Sequence, residues 1–157
     1  MLSMKRVPYV AGSIDRIFMV RWRSFEVPDL ARVRAEIGAA RKLAQQPIVY
    51  LSLIRASTRV FTEEERHALL GFLTDLLADC ASIHHVIDGE GFVSSARRSI
   101  VTNLARSTPR ASDFYTYATL EAAMVSIGKL VNARSDELMR EARAQGVAFR
   151  ENRDNVT

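Results

Sequence analysis

The sequence predicts an α/β fold: one domain in which a mixed, mostly parallel sheet of four to five strands is flanked by about five helices. Residues Ile48–Ile54 form an apolar run between Pro47 and a polar stretch, as is typical of a buried strand. Thr62 is followed three residues later by Glu65, just ahead of an apolar-periodic segment, which indicates a helix that begins with a capping box. This strand-then-helix unit recurs along the chain, and right-handed crossovers then place the helices against the sheet.

The chain begins with a predicted β-hairpin. Residues 5–10 form its short first strand, which we place at an edge because Pro8 is tolerated in a sheet only there. The turn is predicted at residues 11–13, where the sequence reads Ala-Gly-Ser. Residues 14–22 then alternate in hydrophobicity, which predicts the second strand.

The later elements follow from apolar spacing and from helix-capping signals. Pro28 lies in the first turn of an amphipathic helix that ends just before the strand Ile48–Ile54. Because that strand is apolar on both faces, we expect it at the centre of the sheet. Thr119 caps a helix, and Ser135 caps a last helix that Gly146 terminates. The remaining predicted elements are a helix over 63–79, a strand over 83–88, a helix over 92–107 and a strand over 114–118.

Length and composition are those of one globular domain, which we predict over residues 1–149 with a polar tail at 150–157. The formal charge is +4, and 19 of the 22 basic residues are arginines, either because the chain recognises phosphate or because its genome favours arginine codons. The charges are dispersed, without the basic block of a nucleic-acid-binding arm. No apolar stretch approaches the ~20 residues of a membrane span, and the N-terminus lacks a secretory signal, so we expect a cytoplasmic protein that does not bind membranes.

One cluster mixes aromatic and basic side chains. Trp22 lies between Arg21 and Arg23, close to Phe25, and single-strand nucleic-acid binders use such mixtures. A lone cluster on an alternating strand is more often a core tryptophan with solvated arginines. We therefore do not predict a nucleic-acid partner.

The residues that could bind a metal or catalyse a reaction do not form a recognisable motif. His84 and His85 are neighbours on a predicted strand, so their side chains point to opposite faces and cannot reach one ion. We expect this pair near a strand end and partly solvated. Cys80 is the single cysteine and has no base close to it in the sequence. The sequence therefore predicts no catalytic residue, no metal and no cofactor.

The order of elements resembles the STAS domain of bacterial anti-anti-sigma factors and their SpoIIAA-like relatives. In that family a strand ending in Asp-Leu-Ser leads through a loop to a helix that starts with Asp-Ser-Ser-Gly, where a partner kinase phosphorylates one serine. Here the strand residues 50–54 read Tyr-Leu-Ser-Leu-Ile, and residues 60–64 read Val-Phe-Thr-Glu-Glu. Ser52 stands where the strand of the family carries its Asp, and Thr62 is the closest match to its phosphorylated serine.

The resemblance implies a non-catalytic signalling or scaffold module that binds a protein partner, such as a kinase or another regulatory protein. The loop 55–62 and the helix that follows it would form the binding face. The sequence also leaves open that the chain forms a homodimer. The partner-binding residues predicted in this way are Arg55, Ser57, Thr58, Arg59, Thr62 and Glu63.

We predict that phosphorylation is not the main switch. The hydroxyl of Thr62 is expected to cap the helix, and Glu63 and Glu64 would repel a phosphate placed beside them. The helix N-terminus would favour an anion, but the glutamates of the first turn already supply negative charge there.

A ligand-binding domain, and with it an enzyme, is the alternative function. It would use the predicted strand end at Asp88, Gly89, Glu90 and Gly91, since open α/β sheets bind ligands beyond the carboxyl ends of their strands. The same residues also suit a tight strand-to-helix turn. No phosphate-binding glycine motif is present, and the carboxylates of Asp88 and Glu90 would repel phosphate.

Overall fold

Five strands form one sheet in which they lie side by side in chain order, and the predicted fold class is confirmed. The computed structural model of the protein describes residues 8–24, 26–54, 61–88 and 91–148. The first strand is antiparallel to the second, and all other neighbours are parallel. The strands are β1 (Tyr9–Ile14), β2 (Ile17–Trp22), β3 (Ile48–Ile54), β4 (Cys80–Ile87) and β5 (Phe114–Tyr117). The helices are α1 (Val27–Ala44), α2 (Glu63–Leu76), α3 (Phe92–Arg106), α4 (Leu120–Val131) and α5 (Ser135–Ala144), and Ala111–Asp113 forms one 3₁₀ turn.

The sheet separates two apolar cores. Helices α1, α2 and α3 cover one face, where their apolar side chains form one core with Phe18 and Val20 of β2. Helices α4 and α5 cover the other face, where their apolar side chains form a second core with Ile17 and Met19 of the same strand. This arrangement follows from the period-2 alternation of the strands. All seven residues of β3 are buried, because this strand lies at the centre of the sheet and is covered on both sides, as predicted.

The hairpin is present, but its turn lies later than the sequence analysis placed it. Strand β1 continues through residues 11–13, and the chain reverses at Asp15 and Arg16, where Asp15 takes the left-handed conformation with φ of 51°. Gly12 therefore does not form a turn. It lies inside the strand, where a Cβ atom would collide with the side chain of Gln145. Residues 5–7 of the predicted first strand lie outside the described part of the chain.

Other predicted boundaries were also wrong. Helix α2 ends at Leu76, three residues before the predicted end at residue 79. Strand β4 begins at Cys80, three residues before the predicted start, because the small residues Ala81 and Ser82 hide the strand pattern. The register between β3 and β4 shifts at this point, so that Cys80 pairs with Ile48 and Ser82 with Val49. The predicted cap Ser135 is instead the first residue of α5, and Arg134 precedes the helix without a capping side chain.

Candidate functional site

The start of α2 is locked by a capping box. The Thr62 hydroxyl oxygen accepts a hydrogen bond from the Glu65 backbone N–H at 3.1 Å, and the Glu65 carboxylate accepts one from the Thr62 backbone N–H at 2.9 Å. Glu65 is buried, whereas Glu63 and Glu64 of the same turn are exposed. The prediction that the Thr62 hydroxyl caps the helix is confirmed, and the capping box fixes the direction in which the chain enters α2.

The predicted partner-binding residues fall into two groups. Thr62 and Glu63 are exposed and adjacent at the start of α2. Arg55, Ser57, Thr58 and Arg59 lie outside the described residues. Strands β2 to β5 run parallel, so their carboxyl ends meet at one end of the sheet, and Thr62 and Glu63 lie where the connection from β3 enters α2.

Phe61 is a core residue and not a surface contact. Its side chain is 3% exposed, and the guanidinium carbon of Arg97 lies 4.8 Å above the centre of its ring. Arg97 belongs to α3 and is itself buried. This contact ties the residue that precedes the α2 cap to the neighbouring helix. Arg97 was not among the predicted site residues, although its spacing from Ser94 and Val101 places it on the inner face of α3.

A surface groove runs between α2 and α3 beside the capped end. Its volume is about 670 Å³. The groove is lined by two glutamates, one arginine, one histidine and two leucines. The groove therefore offers both charged groups and apolar surface to a partner. Its lining residues are Glu63, Glu64, Arg66, His67, Leu70 and Leu104. At the start of α3, the Phe92 side chain is 86% exposed.

The end of β4 is held by side chains of α3. The Ser94 hydroxyl donates a hydrogen bond to the Asp88 carbonyl oxygen at 3.2 Å, and the Arg98 guanidinium donates one to the Ile87 carbonyl oxygen at 2.8 Å. Gly91 precedes α3 with φ of 103°, a conformation that favours glycine. Of the four residues predicted at this strand end, Asp88 and Gly91 are exposed, and Gly89 and Glu90 lie outside the described residues.

The two neighbouring histidines lie in the middle of β4 and are buried, so the expectation of a partly solvated pair at a strand end was wrong. Strand β4 is longer than predicted and is covered on both faces. The ring of His85 meets the ring of Tyr50 edge-on at 6.2 Å, and neither of its nitrogens has a hydrogen-bond partner among the described residues. Burial, and then the neighbouring His84, lowers the pKa of His85 to about 3.

His84 occupies the opposite face within a hydrogen-bonded group. Its Nε2 lies 2.9 Å from the Ser82 hydroxyl, and its Nδ1 lies 2.9 Å from the Tyr117 hydroxyl. The ring also stacks on Tyr115, with the ring centres 4.8 Å apart. Burial lowers the pKa of His84 to about 4, so the imidazole is neutral and must donate to one hydroxyl and accept from the other. The group satisfies both ring nitrogens within the sheet.

Trp22 and Cys80 are both buried in the core of the protein. Trp22 is 4% exposed and donates a hydrogen bond from its indole nitrogen to the Ser52 hydroxyl at 3.2 Å, so it is a core residue, as predicted. Cys80 is buried at the start of β4. Burial, and then the Asp79 carboxylate, raises the pKa of its thiol to about 12, which keeps the sulfur protonated at neutral pH.

Broader features of the chain add few constraints on function. Within residues 8–24, 26–54, 61–88 and 91–148, no three His, Cys, Asp or Glu side chains cluster closely enough to hold a metal ion. None of the described helices combines the length and apolar character needed to cross a membrane. Neither a known protein family, nor a curated protein, nor a solved structure matches this chain.

Proposed function

We propose that the protein is a non-catalytic signalling or scaffold module that binds a protein partner at the carboxyl end of β3. The proposed docking surface consists of the loop 55–62, apart from the buried Phe61, and the exposed residues Glu63 and Glu64 in the first turn of α2. The observation that carries the proposal is the groove between α2 and α3, which opens beside this turn and shares Glu63 with it. A mixed groove next to an exposed loop gives a partner both charged and apolar contacts.

The described residues on either side of the loop support this function. The capping box fixes the start of α2, and the buried contact between Phe61 and Arg97 ties the end of the loop to α3. At the other end of the loop, Ile54 is the last residue of the fully buried strand β3. The described residues on both sides of the loop therefore belong to rigid elements, and binding residues are often found on loops that such a scaffold positions.

The charges of this surface suggest which residues contact the partner. Arg55 and Arg59 are the expected main contacts, because arginine is enriched in the residues that dominate interface energies. Glu63 and Glu64 add exposed negative charge on the helix side. A partner with acidic groups over the loop and basic groups over the helix would match both. The resemblance to STAS domains makes a kinase or another regulatory protein in the cytoplasm the proposed partner.

A second candidate is a small-ligand or anion site at the strand end around Asp88 and Gly91. Two observations favour it: no acidic side chain occupies the first turn of α3, and no atom of the described residues lies within 4 Å of the place that a Cβ atom of residue 91 would take. Both features would suit an anion at a helix N-terminus. Titration of the protein with inorganic phosphate, followed by NMR at the Gly91 amide, tests it, and an unshifted amide rejects this candidate.

Photo-cross-linking in cells of the native host tests the docking surface. A photoreactive phenylalanine analogue replaces Glu64 in one variant and Arg140, an exposed residue of α5, in a control variant. We expect one discrete protein adduct from position 64 and none from position 140. The same adduct from both positions, or none from either, would contradict the proposal. An adduct of twice the chain mass would assign the surface to a homodimer.

A further inference from the structure

The net positive charge of the chain is concentrated in one segment. Residues 91–112 contain four arginines and no acidic residue. Four of the 22 basic residues lie there, so the other 18 are balanced by the 18 acidic residues of the whole chain. Helix α3 forms most of this segment. Arg97 is buried over Phe61 and Arg110 pairs with Asp113, so Arg98 and Arg106 carry the positive charge of the helix surface, which can attract acidic groups.

This segment lines a second groove, between α3 and strand β5. The groove has a volume of about 480 Å³, and no carboxylate lines it. Arg98 lies at one end, where it also donates to the Ile87 carbonyl oxygen, and the exposed Arg106 lies at the other. Arg106 has no acidic partner within the described part of the chain. The other lining side chains are polar and uncharged: Ser95, Ser99, Thr102, Asn103 and Thr116.

The floor of the groove ends at an edge of the sheet. Strand β5 pairs only with β4 among the described strands. Thr116 is the β5 partner of His85 in the register, so it lies on the sheet face that α3 covers. The opposite edge of the sheet is different, because both backbone groups of Ser13 in β1 are hydrogen-bonded to the side chain of Gln145. The β1 edge is thus partly blocked. Among the described residues, no side chain forms an equivalent pair of hydrogen bonds with the backbone of β5.

We propose that an extended acidic peptide segment of a protein partner adds to the edge of β5 and lies in the α3–β5 groove. Its backbone would extend the sheet, and its carboxylates would face Arg106 and the hydroxyl groups of α3. A peptide fits better than a nucleic acid, because a strand edge offers alternating N–H and C=O groups and only a peptide backbone matches both. This inference is independent of the docking surface at α2, which uses other residues.

Selection of peptides on the folded full-length protein tests the inference. The probe is a phage-displayed library of random peptides about ten residues long. We expect the selected peptides to carry acidic residues at alternate positions, since one face of an added strand points toward α3. Arg106→Glu, which reverses the charge at the groove, should weaken binding of a selected peptide about tenfold or more. Ser99→Glu, which adds an acid to the lining, should act in the same direction. Arg140→Glu on α5 is the matched control and should leave binding unchanged.

A second comparison separates strand addition from simple charge attraction. A selected peptide with N-methyl groups at alternate backbone positions keeps its charges but cannot form the strand hydrogen bonds, so it should not bind. Arg55→Ala/Arg59→Ala should leave peptide binding intact, which distinguishes this groove from the docking surface. Equal binding of the methylated peptide, a selection without acidic residues, or tighter competition by a single-stranded oligonucleotide would each overturn the inference.

Discussion

The side-chain amide of Gln145 forms a closed pair of hydrogen bonds with the backbone of Ser13. Gln145 Oε1 accepts from the Ser13 N–H at 2.8 Å, and Gln145 Nε2 donates to the Ser13 carbonyl oxygen at 2.7 Å. The amide thereby takes the place of one residue of a neighbouring strand at the edge of β1. Gly12 leaves the space for it, because any Cβ atom at that position would collide with the amide. The contact protects an edge that could otherwise pair with another chain.

Gly12→Ala should open this edge. The new methyl group displaces the Gln145 amide, and the Ser13 backbone loses both side-chain hydrogen bonds. We expect the free energy of unfolding to fall by ~1–2 kcal/mol and the protein to self-associate at high concentration. Urea unfolding and light scattering measure the two effects. Gln145→Ala should reproduce both, whereas Gln46→Ala, at an exposed glutamine, should change neither. A monomeric Gly12→Ala protein of native stability would show that the contact does not protect the edge.

Thr62→Ala should destabilise the protein through the capping box. The substitution leaves the Glu65 N–H without its side-chain acceptor, and we expect a loss of ~1 kcal/mol in the free energy of unfolding. Thr62→Ser keeps the acceptor and should stay close to the wild type. The matched control is Thr74→Ala, because the exposed Thr74 hydroxyl only donates to the Leu70 carbonyl oxygen within the same helix. Equal losses at both threonines would mean that the cap contributes nothing of its own.

The buried histidines should make the protein less stable as the pH falls. The folded state lowers the pKa of His84 to about 4 and that of His85 to about 3, from an unfolded value of 6.5. Between these values the unfolded chain binds more protons than the folded one, so stability is complete above pH ~6.5 and is lost progressively below it. Each unit of pKa difference corresponds to ~1.4 kcal/mol, so the loss at acid pH is several kcal/mol.

His85→Leu isolates this effect. It removes a buried titrating group without a hydrogen-bond partner in the described structure, so the dependence of stability on pH should become clearly shallower. Urea unfolding at about pH 7.5 and about pH 4.5 gives the comparison. His67→Gln, at an exposed histidine of α2, is the control and should keep the wild-type dependence. An unchanged dependence in His85→Leu would mean that His85 is not held neutral by burial.

The sequence predicted the fold class well because β3 and α2 carry strong local signals. The apolar run Ile48–Ile54 and the Thr62–Glu65 capping box each depend on neighbours in the chain, and both lie where predicted. The predicted position of the hairpin turn was wrong because Gly12 is not a turn residue. Position 12 needs a glycine because the side chain of Gln145, far away in the sequence, packs against it. Strand-based alternation correctly placed His84 and His85 on opposite faces, but their burial depends on helices that sequence spacing does not position.

The candidate site was less predictable than the fold. The cap at Thr62 follows from local spacing, whereas the buried position of Arg97 above Phe61 depends on how α3 packs beside α2. Likewise, no sequence motif predicts the hydrogen bond that Arg98 donates to the Ile87 carbonyl oxygen at the end of β4. Contacts between elements of this kind decide which charged side chains are available to a partner.

The most direct test of the proposed docking surface is the affinity of the cross-linked partner for the Arg55→Ala/Arg59→Ala protein. We expect an unchanged melting temperature and partner binding weaker by more than tenfold, if each truncation costs roughly 1–2 kcal/mol. Arg140→Ala is the matched control and should bind as the wild type does. Unchanged affinity in the folded double variant would contradict the account and would move the binding site away from the loop that leaves β3.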